Sequence, residues 1–114
     1  EAYAAGELKH GTISLIEDGT LVVALATQPE LYEKTMSNIR EVTSRGAEVI
    51  LIAGADFDGD ESACRHIIRL PVCPARFSAS LSIVPLQLLA YYIAVERNCD
   101  VDKPRNLAKS VTVE

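Results

Sequence analysis

Two short apolar runs, residues 21–26 (LVVALA) and 48–53 (EVILIA), are the clearest feature of the hydrophobic pattern. A continuous apolar run of this length is typical of a strand that is covered on both faces of a parallel sheet. Between the runs, Pro29 and Gly46 mark the beginning and the end of an amphipathic helix. Strand, helix and strand in this order predict a βαβ unit.

The second half of the chain predicts one more strand and a long helix. Residues 67–70 form a short third strand that Pro71 ends, and a helix follows over about residues 82–97 with Pro85 in its first turn. The predicted fold class is therefore α/β, a small three-layer parallel sheet flanked by helices in one domain of residues 1–114.

The helix at 82–97 has almost no polar face, and such a helix has to be covered all round. We expect one side to pack on the sheet and the other on another chain or domain. The alternative is that the N-terminal segment and the C-terminal tail of this chain cover it. The most apolar segment, residues 81–95, contains Ser82, Pro85 and Gln87 and is shorter than the roughly 20 apolar residues of a membrane span, so we interpret it as a buried helix of a soluble protein.

The net charge of the chain limits the classes of molecule that it is expected to bind. The 114 residues carry a net charge of −5 at pH 7, with 48% hydrophobic and 24% charged residues. These values are typical of a globular protein, and the negative charge argues against nucleic acid or an anionic membrane as the main partner. A small anionic ligand needs only a local positive site and stays possible.

The cysteines Cys64, Cys73 and Cys99 are odd in number and form no CxxC pair. They predict free thiols in a reducing cytosol, with neither a disulfide framework nor a zinc site. Residues 1–6 lack the basic start and the apolar stretch of a signal peptide.

The acidic run of residues 56–61 (DFDGDE) resembles a calcium-binding loop. Counted from Asp56, the twelfth position of such a loop needs a glutamate, and Ile67 stands there. We therefore predict a solvated turn and no metal site. His66, beside Arg65, has no partner in the sequence and is interpreted as a structural or surface histidine.

Two residues near the chain ends carry candidate chemistry. His10 lies in GELKHG, where Gly11 lets another backbone or a ligand approach, and histidine can move protons at neutral pH. Lys109, in the tail RNLAKSVTVE, could hold an anion or attack a carbonyl as a Schiff-base nucleophile. The residues alone leave a plain loop histidine and a solvated lysine open as the alternatives. The chain has no glycine-rich phosphate loop.

The two ends of the chain carry a resemblance. EAYAAGELKHG at the start and PLQLLAYYIAVERNCDVDKPRNLAKSVTVE at the finish closely resemble the C-terminal part of the glutamine–fructose-6-phosphate aminotransferases (glucosamine-6-phosphate synthases). The shared motifs are E-x-K-H-G at residues 7–11 and the long D-x-P-R-N-L-A-K-S-V-T-V-E at residues 102–114. The resemblance implies the second sugar-isomerase (SIS) subdomain, a flavodoxin-like SIS fold, without metal or cofactor.

The resemblance also implies an activity. The enzymes of this family convert fructose 6-phosphate and glutamine to glucosamine 6-phosphate and glutamate, on the way to UDP-N-acetylglucosamine. His10 corresponds to the histidine that helps to open the sugar ring across a dimer interface. Lys109 corresponds to the lysine of the Schiff base with the open-chain ketose, and Ala108 to a residue that lines the site. Thr12 departs from the proline that bacterial relatives often have after K-H-G.

Parts of the family's enzyme fall outside these residues. They are the glutaminase domain, the first SIS subdomain with its phosphate-binding loop, and the glutamate base, which Glu1 is not. We therefore expect a fragment of a cytoplasmic, homodimeric enzyme that is inactive by itself. The alternative is a non-catalytic SIS module that binds a sugar phosphate or serves dimerisation.

Overall fold

The computed structural model describes residues 1–103, and the predicted site residues Lys109 and Ala108 lie outside them. The chain divides into two compact units, Glu1–Ser82 and Ile83–Glu114. The first unit contains the whole sheet and is described first.

A parallel sheet of three strands forms the centre of the first unit. The strands are β1 (Leu21–Ala26), β2 (Glu48–Gly54) and β3 (His66–Leu70), and they lie in the order β1-β2-β3. Each predicted strand is confirmed to within one residue at either end. The predicted α/β class with a parallel sheet is confirmed as well.

The register of the sheet explains which side chains form the core. Ala24 pairs with Leu51, and Leu51 pairs with Ile67, so that one face carries small and branched apolar side chains in a row. Side chains alternate between the two faces of a strand, and the odd-numbered residues of β2 therefore pack with helix α1. The buried members of this core are Ala26, Met36, Ile39, Val42, Ala47, Val49, Leu51, Ala53 and Phe57.

The connection between β1 and β2 is the predicted amphipathic helix. Pro29 opens a 3₁₀ turn (Pro29–Leu31), and α1 follows directly over Tyr32–Thr43. The helix ends before Gly46, whose φ is +92°, a conformation that glycine adopts without strain. The carbonyl of Gly46 accepts a hydrogen bond of 2.8 Å from the N–H of Gly19, which ties the helix end to the turn before β1.

The N-terminal residues form two 3₁₀ helices, Ala5–His10 and Thr12–Leu15. They meet at Gly11, whose φ is +148°. Leu8 and Ile13, one in each helix, pack against the core of the first unit. The segment is therefore fixed to the unit on both sides of His10.

The opposite face of the sheet is unevenly covered in this chain. Ile52 is fully buried and Leu70 is buried, whereas Leu21 is 53% and Leu25 is 44% exposed. The expectation that β1 is covered on both faces is therefore wrong for the described residues. The physical reason is that α1 packs on the other face of the sheet, against Val22, Ala24 and Ala26, and the described residues leave Leu21 and Leu25 uncovered.

Helix α2 covers Ser78–Glu96 and thus begins four residues before the predicted start. Pro85 lies inside the helix and not in its first turn. Proline removes one hydrogen bond there, to the carbonyl four residues earlier, and this single loss does not end the helix. With its preceding turn, α2 is the one helix in the described residues that is long and apolar enough to cross a membrane, by length and composition alone.

The part of α2 that belongs to the second unit is largely exposed. Tyr92 is 61% exposed, and Tyr91 and Tyr92 stack edge to face with ring centroids 5.4 Å apart. The other exposed large apolar side chains of this part are Ile83, Val84, Leu88, Ile93 and Val95. Residues 1–103 therefore leave this part of the helix largely uncovered, and the tail named in the alternative lies outside the described residues.

Candidate functional site

A cleft of about 280 Å³ lies where the three strands of the first unit end. Thr27 follows β1, Gly54 ends β2 and Leu70 ends β3, so the cleft lies at the carboxyl edge of the sheet. Ligands of open parallel sheets bind at this edge. The cleft is lined by Thr27, Pro29, Glu30, Tyr32, Gly54, Asp56, Leu70, Pro71, Val72, Cys73, Ala75, Ser78 and Leu81.

Gly54 leaves room for two polar groups at the cleft. A β-carbon at this position would lie 2.4 Å from Oδ1 of Asp56 and 3.5 Å from the hydroxyl oxygen of Tyr32. The carboxylate and the phenol therefore occupy the space above the glycine.

Tyr32 is positioned by its aromatic ring and surrounded by carboxylates. Its ring contacts Phe57 edge to face, with centroids 4.8 Å apart. Burial raises the pKa of the Tyr32 phenol above its usual value, and the negative charges of Asp56, Asp58 and Glu30 raise this pKa further. The phenol is thus held in its neutral form, which can donate as well as accept a hydrogen bond.

Arg69 fixes the loop that forms one wall of the cleft. Its guanidinium donates to the carbonyl of Gly54 at 3.2 Å and to that of Phe57 at 3.0 Å, and it pairs with the carboxylate of Glu61. It also lies over the Phe57 ring, 5.7 Å from the centroid. The sequence did not reveal this role, because Arg69 is twelve residues from Phe57 and only the β2–β3 pairing brings them together.

The acidic loop has the character of a turn, as predicted. Asp60 accepts a hydrogen bond of 3.0 Å from the N–H of Ser62 and pairs with Arg40 at 3.4 Å. Hydrogen bonding from the side chain and the backbone of Ser62 lowers the pKa of Asp60, and the Arg40 guanidinium lowers this pKa further. Within residues 1–103, no group of three or more His, Cys, Asp or Glu side chains is arranged to hold a metal ion.

All three cysteines are free thiols, as predicted. Burial raises the pKa of the Cys64 thiol, and the nearby charge of Asp60 raises it further. Cys64 is therefore a poor nucleophile at neutral pH.

His10 is the last residue of the first 3₁₀ helix, and its side chain is exposed. It does not line the cleft at the strand ends. Lys109 and Ala108 lie outside the described residues, and their place beside His10 stays a prediction. His66 begins β3 and is exposed, in agreement with its interpretation as a surface histidine.

Comparison with known proteins identifies the family of this fold. The family model of the SIS domain matches residues 1–97. Among curated relatives, the glutamine–fructose-6-phosphate aminotransferase (isomerizing) of Clostridium tetani is 59% identical and that of Clostridium acetobutylicum 60% identical, each over 114 residues. Both alignments cover the whole of this chain, and the chain spans 19% of the length of each relative.

A solved structure agrees with these relatives. The C-terminal domain of the glucosamine-fructose-6-phosphate aminotransferase from Francisella tularensis superimposes with a TM-score of 0.83 at 33% sequence identity. The match covers 90% of this chain and 29% of that domain's chain. The resemblance carried by the two end motifs is confirmed, and the chain belongs to the SIS domain family.

Proposed function

We propose that this chain is the C-terminal SIS part of a glutamine–fructose-6-phosphate aminotransferase and contributes to the isomerase site of that enzyme. The observation that carries the proposal is an identity of 59–60% along all 114 residues to two enzymes of this name. The site motifs at both chain ends lie inside that alignment. A likeness of fold alone would leave the reaction open, because one fold serves many functions.

The chemistry assigns a task to each predicted residue. Fructose 6-phosphate reacts in its open-chain form, so a proton has to move at the ring oxygen, and His10 supplies this acid–base step. The amine of Lys109 condenses with the C2 carbonyl and releases water, which gives a Schiff base. Ammonia from glutamine replaces the lysine at C2, and transfer of a proton from C1 to C2 completes glucosamine 6-phosphate. Ala108 lines the site beside the lysine.

The surroundings of His10 support its role in a site that is completed by other parts of the protein. Leu8 and Ile13 fix the backbone on both sides of the histidine, while the imidazole itself is exposed. A histidine held in this way can reach a sugar that is bound outside its own unit. The proposed partners are the first SIS subdomain and the glutaminase domain of the same polypeptide, and a second copy in a homodimer.

The names of the relatives support a location for the proposed enzyme. The relatives are metabolic enzymes by name, which supports a soluble protein, and we propose the cytoplasm as its location. By itself, the chain is expected to be inactive, because the phosphate-binding loop and the glutamate base lie elsewhere.

The exposed apolar side chains of α2 favour a second candidate, a non-catalytic module for dimerisation or sugar-phosphate binding.

The decisive experiment uses the full-length protein and measures glucosamine 6-phosphate and glutamate separately. We expect Lys109→Ala to lower the formation of glucosamine 6-phosphate by at least about a hundredfold while the hydrolysis of glutamine continues, because the Schiff base cannot form. Lys103→Ala, which removes an exposed lysine six residues earlier, serves as the matched control and should retain activity. Normal synthesis by Lys109→Ala would refute the catalytic proposal and leave the non-catalytic module.

A further inference from the structure

We propose that the cleft at the carboxyl edge of the sheet is a binding site for a small polyhydroxy amine, separate from the proposed isomerase site. The cleft lies wholly within residues 27–81, and neither His10 nor any other residue of the N-terminal 3₁₀ helices lines it. The inference is therefore independent of the proposed function and rests on the shape and the chemistry of the cleft.

The charge of the cleft selects against phosphate and for an ammonium group. Glu30 and Asp56 contribute two carboxylates to the lining, and no lysine or arginine lines the cleft. Within residues 1–103, neither carboxylate takes part in an ion pair. The cation whose charge acts on Tyr32 is Arg69, and its guanidinium is engaged by Glu61 and two carbonyl groups. A ligand cation would therefore be the partner that these carboxylates lack.

The hydroxyl groups of Thr27 and Tyr32 in the cleft can form hydrogen bonds with the hydroxyl groups of a ligand. Among the side-chain hydrogen bonds within residues 1–103, none involves the hydroxyl of Thr27 or of Tyr32. Both hydroxyls can donate and accept, and the raised pKa keeps the Tyr32 phenol neutral. Because Gly54 has no β-carbon, Asp56 and Tyr32 can bind one ligand from the same side.

The volume of the cleft and its lining residues indicate which class of ligand it can bind. A volume of about 280 Å³ lies just below the usual range of small-molecule sites and corresponds to a ligand of roughly monosaccharide size. Pro29, Leu70 and Pro71 provide an apolar surface for the face of a small ring. An amino sugar without phosphate combines the ammonium group, the hydroxyl groups and the size that the cleft requires.

The test uses D-glucosamine as the probe and the full-length protein as the target. Binding is followed by saturation-transfer NMR with fructose 6-phosphate at saturation and glutamine absent, so that the proposed isomerase site is occupied. We expect saturable binding of glucosamine, and a dissociation constant for N-acetylglucosamine, which lacks the charge, at least about fivefold higher. Asp56→Asn and Glu30→Gln should each weaken glucosamine binding by a similar factor.

Glu33→Gln provides the matched control, because Glu33 is an exposed carboxylate in the first turn of α1 that does not line the cleft. It should bind glucosamine like the unaltered protein, and far-UV circular dichroism checks that all variants are folded. The proposal is overturned if glucosamine shows no saturable binding in the millimolar range. It is also overturned if Asp56→Asn and Glu30→Gln bind as the unaltered protein does, or if N-acetylglucosamine binds equally well.

Discussion

At the scale of single residues, Tyr32 shows how the fold changes the chemistry of a side chain. In the sequence it is one tyrosine of an amphipathic helix. In the structure its ring rests on Phe57, and its hydroxyl lies beside Gly54 and Asp56. Burial and the surrounding carboxylates raise its pKa, so that the folded protein favours the neutral phenol.

This shift predicts a dependence of stability on high pH. A phenol whose pKa is raised by folding contributes its full stabilisation below the ordinary value of 10.0, and the contribution is lost as the pH rises through the folded pKa. We expect Tyr32 to ionise above pH 10.0 in a titration followed by NMR of the tyrosine rings.

A substitution separates the two causes of the shift. Asp56→Asn should lower the pKa of Tyr32 only in part, because burial is the larger cause and stays in place. Glu33→Gln, whose carboxylate is not among the causes of the shift, should leave it unchanged. A pKa of Tyr32 at or below the ordinary value in the unaltered protein would contradict the described environment.

At the scale of elements, the end of α1 depends on one backbone position. Gly46 adopts a φ of +92° and lies against the turn before β1, where a β-carbon would be 2.7 Å from the Cα of Asp18. The hydrogen bond from the N–H of Gly19 to the carbonyl of Gly46 joins the end of the helix to the start of the sheet. The sequence predicts that Gly46 ends the helix, and the structure shows that a side chain at this position would clash with the backbone of Asp18.

Gly46→Ala should therefore lower the free energy of unfolding by more than about 1 kcal/mol, since the left-handed conformation is strained for alanine and the backbone of Asp18 has to move. Urea unfolding of the variant and the parent measures the difference. Gly6→Ala is the control, because nothing lies within 4 Å of a β-carbon placed there. Equal stability of Gly46→Ala and the parent would show that the turn adapts without cost.

At the scale of the whole molecule, the exposed apolar surface and the greater length of the relatives both favour packing of this chain against further protein. Leu21 and Leu25 on the sheet are exposed, as are Leu88 and Tyr92 on α2, and the chain spans 19% of the length of its curated relatives. Exposed apolar surface of this extent is typical of a part that packs against further protein. The proposed homodimer and the proposed neighbouring domains would provide such cover.

Mixing of two inactive variants tests the proposed sharing of residues between subunits. If His10 serves the site of the partner subunit, His10→Ala and Lys109→Ala should each be inactive alone. Random exchange of their subunits should restore about a quarter of the activity, because half of the dimers are mixed and each mixed dimer has one intact site. The yield of glucosamine 6-phosphate before and after subunit exchange measures this. Persistent inactivity of exchanged dimers would place both residues in one subunit's site.

The sequence predicts most of the strands and helices correctly. The apolar runs placed all three strands, and Pro29 and Gly46 placed the limits of the helical connection between β1 and β2. The predicted start of α2 is wrong by four residues, because proline is tolerated inside a helix at the loss of one hydrogen bond and is thus an uncertain boundary. Cover on both faces of β1 was also misjudged, because an apolar run does not reveal what protein supplies the cover.

The sequence by itself determined the strands, the family and the candidate residues His10 and Lys109, because periodicity and motifs are local properties of the chain. Only the tertiary structure decided that Arg69 holds the wall of a cleft and that Tyr32 and Asp56 both lie beside Gly54. These groups come from three separate segments, and the parallel pairing of β1 with β2 and of β2 with β3 brings them to one edge. Their chemistry depends on distance and burial, which no local pattern of residues contains.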